Sequence, residues 1–253
     1  MKPLVSKLQP TKGFSHLVHI GLVALLPVLL YVVLRVSYLG LPLALALVVL
    51  SKWRMFAVRP RFWPAIVRAN AVDIMVGVSA VVFMQHSLDR PLVQLLWAAL
   101  YAGWLLFLKP GTTTLLISAQ AFLAQLAGLS ALYLVWADGP LYGLVFATAL
   151  ICYVAARHFF DSFDEPYSRM LSYLWAYFAA GLAWVLGHWL LYYVSVVAQP
   201  TIVLTTIGYG LAVLYYFDHY NKLHSVLRRQ LLTIMAVILL VLIIFSDWGD
   251  KVV

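Results

Sequence analysis

Gln230-Leu-Leu-Thr-Ile-Met-Ala-Val-Ile-Leu-Leu-Val-Leu-Ile-Ile-Phe245-Ser246 contains no charged residue. A helix that is apolar on every side has no face to turn toward water, so it belongs in a protein interior or in a bilayer. Crossing the hydrocarbon takes about 20 such residues. The length and evenness of this run point to the bilayer. The same reading extends to eight further apolar runs, at about 16–34, 37–51, 65–85, 91–108, 112–136, 140–157, 170–197 and 201–217, with this one counted as 230–246. The expected fold is an all-α, polytopic transmembrane bundle forming one domain over 1–253. The run at 37–51 is short and contains Pro42. As a re-entrant or tilted segment it would leave eight crossings.

Composition agrees. The chain has 253 residues, 64% hydrophobic and 10% charged, with a mean hydropathy of +0.95. Soluble domains carry about a quarter charged residues. No connecting segment is long enough for a soluble domain. Lys2, Lys7 and Lys12 precede the first apolar run, as in a signal peptide, but no small-residue cleavage site follows. That run is read as a retained first helix.

Charge assigns the sides. With nine crossings and a cytoplasmic N-terminus, Lys52, Arg54, Arg59, Arg61, Arg68, Lys109, Arg157, Arg169, Lys222, Arg228 and Arg229 fall inside with the three N-terminal lysines. Only Arg35, Arg90 and Lys251 fall outside. Removing the second crossing scatters the basic loops over both faces. The bias therefore supports nine spans, N-terminus in and C-terminus out. The net charge of +8 is then read as helix ends meeting anionic lipid headgroups, not as a nucleic-acid surface. Cys152 is the only cysteine, which rules out an internal disulfide or a thiolate metal cage in this chain.

Small residues mark candidate packing seams, because helix association in lipid depends on close backbone approach. They are Ala179, Ala183 and Gly187; Ala99 and Gly103; Ala124 and Gly128; Gly208 and Ala212.

Polar residues within the spans are the candidate sites, since each is costly in hydrocarbon. Asp73 stands out. It shares a helical face with Asn70, Gly77 and Ala80, and it is expected either to serve a proton or cation path or to pair with a base such as Arg68 or Arg157. Gln120 and Gln125 are expected to hydrogen-bond between helices, with His188 nearer the outer side. In the loop after the sixth span, Asp161, Asp164 and Glu165 lie between Arg157 and Arg169, and Asp218 and His219 follow the eighth. With Asp73 these acids could form one cytoplasmic pocket for Mg²⁺ and a phosphate; as ion pairs they would instead fix helix ends. The histidines have no ligand spacing for a metal site.

A retinal Schiff base needs a lysine inside a span, and every lysine here is terminal or at a helix boundary. Asp164-Glu165-x-x-x-Arg169 and Trp184-x-x-x-His188 look similar to the motifs of the glutamate-type CAAX proteases. Residues 167–198 read as one helix, however, separating Glu165 from His188 by about 35 Å. Asn70-x-x-Asp73 and Asp161-x-x-Asp164 resemble, in position, the two aspartate motifs of the UbiA-type intramembrane prenyltransferases. That resemblance implies Mg²⁺ and a prenyl diphosphate; the first motif lacks its second aspartate. Residues 52–61, 156–169 and 245–251 resemble segments of multi-pass membrane proteins from Saccharibacteria and related candidate-phylum bacteria, a resemblance that carries no activity with it.

The expectation is an inner-membrane protein, transporter-like or a membrane subunit of a larger assembly. The bilayer, and a protein partner or a second copy, would be its partners, and no cofactor is expected. The alternative is an enzyme acting on a lipid-linked phosphate at the cytoplasmic leaflet with Mg²⁺.

Overall fold

Where the apolar runs are long and uninterrupted, helices form. In the computed structural model, which describes residues 14–36, 38–53, 57, 59–136, 139–163, 165–189, 193–194 and 197–245, nine α-helices follow one another. They are α1 (Phe14–Val36), α2 (Gly40–Leu50), α3 (Trp63–His86), α4 (Pro91–Gly103), α5 (Thr114–Trp136), α6 (Leu141–Phe160), α7 (Ser168–Trp189), α8 (Gln199–His219) and α9 (Ser225–Phe245). Seven of them, α3 to α9, are long and apolar enough to cross a membrane when the turns flanking α3, α4 and α6 are included. Prolines sit in the first turns of α3, α4 and α8, where the missing N–H breaks no helical bond. The helix α8 ends in a Schellman motif. Asn221 takes a positive φ of 53°, Lys222 N–H reaches Phe217 O and Asn221 N–H reaches Asp218 O, which satisfies the last carbonyls.

With 11 residues, α2 is about 16 Å long, roughly half the hydrocarbon thickness. Its flanks extend it. Before it, Arg35 donates to Gln94 Oε1 and to Leu88 O. After it, Lys52 reaches Asp73. Leu88 and Asp73 lie fifteen positions apart along α3 and its end, or about 20 Å. The second segment therefore runs from the level of Leu88 to the level of Asp73. At the α1–α2 turn a Cβ on Gly40 would lie 3.1 Å from Leu34 Cα and from Val33 O, so the bare backbone lets the hairpin close.

Two further boundaries differ from expectation. The seventh helix is described over Ser168–Trp189, and Tyr193–Val194 pairs antiparallel with Val197–Ala198 where an unbroken helix to 197 is expected. This stretch is rich in tyrosine and valine, which lose side-chain freedom in a helix and fit a strand. The fourth helix widens over Trp104–Leu108 into a π turn.

The core has two main parts. One, among α1 to α4, is built on Leu30, Val48, Met84 and Tyr101; the other, among α5 to α8, on Leu129, Tyr133, Leu144 and Leu204. Small-residue seams do the close packing: Ala124, Ala179 and Ala183 are fully buried. The pair on α4 does not act this way. Ala99 is exposed and Gly103 meets nothing. The helix α9 packs mainly on α8 and has only Leu242 buried.

Candidate functional site

Asp73 lies ten residues into α3. The first turns of α3 project beyond their neighbours, with Arg61 to Val67 largely exposed. Asp73 therefore lies level with Lys52, just past α2, and Lys109, just past the π turn of α4. Both ammonium groups lie 2.9 Å from Asp73 Oδ2. Trp104 Nε1–H donates to Oδ1 at 3.1 Å. Three elements thus converge on one carboxylate that is 9% exposed. The expected bases Arg68 and Arg157 are not its partners.

The cluster holds two cations and one anion in a nearly dry place. Burial draws the Lys52 amine below the ordinary lysine value, with Lys109 acting in the same sense and Asp73 opposing. Lys109 is half-exposed. Burial works against its charge too, but its contacts with Lys52 and the Asp73 carboxylate leave its value raised. One turn along α3, a Cβ on Gly77 would lie 2.7 Å from both Tyr101 Oη and Val48 Cγ1. Only glycine lets α2, α3 and α4 meet closely enough to bring the three charges together.

Gln120 pins the loop that carries Lys109. Its Nε2 donates to Leu108 O at 2.6 Å and to Gly111 O at 3.1 Å. That leaves its Oε1 to accept from His158 Nε2–H of α6 at 2.9 Å. Gln125 ties three helices: its amide donates to Leu204 O of α8 at 3.2 Å, and it accepts from Trp175 of α7 at 3.3 Å. Asn70 shares the face of Asp73 but turns its amide back onto Ile66 O. His188 falls in the last turn of α7, with its side chain outside the described residues. Glu165 precedes α7, so a helix length of about 30 Å separates the two.

The described acids of the loop do not share the partners of Asp73. Asp161 pairs with Arg157 one helical turn before it, at 3.2 Å. Glu165 is buried, accepts from Tyr167 N–H at the start of α7, and has His219 Nδ1 3.1 Å from its Oε2. Asp218 is exposed, and Asp164 lies outside the described residues. Phe159, Phe160 and Phe163 pack edge-on against one another and against Tyr215 and Tyr216, which holds this loop on the end of α8. Among the described residues no three His, Cys, Asp or Glu side chains form a group able to hold a metal ion.

Lys52, Lys109 and Trp104 went unrecognised as site residues from sequence. The two lysines read as interfacial charge and the tryptophan as one of many aromatics. The one available signal was that they are the lysines closest to a span on the face of the bundle where Asp73 lies.

No protein-family model, no curated protein and no solved structure matches the chain.

Proposed function

We propose that the chain is a multi-pass protein of the inner membrane, with nine crossings, N-terminus inside and C-terminus outside, that acts as a transporter-like bundle. The course of α2 between the Arg35 level and the Lys52 level supports nine crossings over eight. One observation carries the functional reading: a single carboxylate, nearly buried, holds cations from two separate connecting segments. A carboxylate already facing two ammonium groups and an indole N–H is a poor site for a metal cation. The charge that can move here is a proton, and its loss from the cluster would change how firmly the ends of α2, α3 and α4 are held. In liposomes containing the purified chain and a trapped pH-sensitive dye, an imposed pH gradient should collapse faster than in empty vesicles. Asp73→Asn should return the rate to that of empty vesicles. Wild-type protein with no flux above empty vesicles, or a variant as fast as wild type, would overturn the reading.

A second reading is an enzyme or binding protein for a lipid-linked phosphate at the cytoplasmic leaflet, with Mg²⁺ and the Asp161–Glu165 loop. It is favoured by Arg157, whose Nε and Nη1 are buried and meet no hydrogen-bond partner, leaving two donors free for an anion. In that case Mg²⁺ with a prenyl phosphate should raise the melting temperature of the wild type and leave Asp161→Asn unchanged.

A further inference from the structure

Between α5, α6, α7 and α8 lies a cavity of about 310 Å³ that none of the charged groups above enters. The space exists because Ala121, Ala155, Ala156, Gly208 and Ala212 line it where larger residues would fill it. Gly208 also makes room for the wall: a Cβ there would lie 2.5 Å from the Trp175 ring. Thr205 and Tyr215 of α8 both line it, ten positions or about 15 Å apart. Volume over length gives a section of roughly 20 Å², the width of one hydrocarbon chain and too narrow for two. An apolar cavity of about 150 Å³ stays dry and takes up a six-carbon ring, so this one holds about a dozen carbons. Leu174 and Phe178 of α7 and Tyr209 of α8 line it while remaining about half exposed at the surface. It therefore opens sideways between these helices, where bilayer chains would lie.

The wall carries one unanswered polar group. Thr205 is 4% exposed, lines the cavity, and its Oγ1 has no hydrogen-bond partner. Beside it Gln125 has both ends of its amide engaged. A buried hydroxyl left unpaired is costly, and a ligand oxygen within reach would pair it. We propose that the cavity binds a single uncharged hydrocarbon chain of about a dozen carbons carrying a hydroxyl or carbonyl oxygen that meets Thr205 Oγ1. The chain enters sideways, from the bilayer or as a free amphiphile.

Trp175 reports on occupancy, because bromine quenches indole fluorescence at contact. Bromoundecanol titrated into protein in nanodiscs should quench wild type saturably, and the saturable part should vanish in Trp175→Phe. Ala212→Phe, which fills the cavity, should abolish saturation. Thr205→Val, nearly the same shape without the hydroxyl, should weaken bromoundecanol by about tenfold, the weight of one hydrogen bond. It should leave bromoundecane, which lacks the oxygen, unchanged. Displacement by a lauroyl lysophospholipid would show that the chain arrives on a membrane lipid, and its failure to displace would mark a free amphiphile; either result presupposes the saturable site. Quenching that never saturates, or that is the same in Trp175→Phe, is partition into the bilayer and overturns the site. Equal binding of the alcohol and the alkane to wild type overturns the role of Thr205.

Discussion

Asp73 and Lys52 depend on each other. Lys52 is 9% exposed and sits where a bare ammonium is poorly solvated, so removing its counter-charge is costlier than removing the pair. Breaking one side of a buried ion pair costs about 3 kcal/mol or more, whereas replacing both partners with groups of similar shape is often neutral. Asp73→Asn should accordingly lower stability by about 3 kcal/mol, read from thermal unfolding in detergent. Lys52→Met combined with Asp73→Asn should recover more than half of that loss. Equal destabilisation in the single and the double variant would show that the lysine is solvated after all. The same reasoning explains why Gln120 was legible in part. An amide in a span has to find partners between helices, but that its partners would be the carbonyls of the Lys109 loop and a histidine on α6 depended on where those backbones pass.

At the scale of the element, the π turn of α4 places the second cation. Trp104 and Lys109 are five positions apart. A regular α-helix turns by about 100° per residue and would point them about 140° apart. The wider turn, closed by Lys109 N–H on Trp104 O at 2.9 Å, stacks positions five apart on one side, so both side chains reach Asp73. Deleting Phe107, which is 77% exposed, should close the segment to an ordinary α-helix with the two residues four apart and still on one face. The melting temperature should then stay within a few degrees of wild type. Inserting an alanine after Phe107 should rotate Lys109 away and lower the melting temperature by a clearly larger margin. If deletion and insertion prove equally harmful, the π turn has no part in the pairing. Hydropathy could not reveal this turn, since Trp-Leu-Leu-Phe-Leu is equally apolar in either geometry. The end of α7 is the reverse case. The valines after Tyr193 carry a strand signal, but the hydropathy of the run concealed it.

At the scale of the whole molecule, the charged side chains that tie α1 to α4 together gather at two levels. Arg35, Leu88 and Gln94 mark one; Lys52, Asp73 and Lys109 mark the other. Under the nine-crossing reading these levels face opposite compartments. Single cysteines in a Cys152→Ser background test it. A cysteine at Tyr38, fully exposed beyond α1, should react with an impermeant maleimide from outside the cell. One at exposed Arg61 should react only after the membrane is opened. Labelling of both from the same side would remove the second crossing.

Bilayer partition acts on each stretch according to its own composition, so the sequence by itself determined that the chain is helical, that most of its helices are long and apolar enough to cross a membrane, where they run, and which acid would be exceptional. The partners of Asp73 and the cavity beside Thr205 were decided only by the tertiary structure. Lys52 and Trp104 lie 21 and 31 positions from Asp73, and whether they meet it depends on how far each helix is rotated about its axis. Close backbone contacts such as Gly77 against Tyr101 set that rotation. A cavity, likewise, is the space left when four helices have packed, and no single segment of the chain records it.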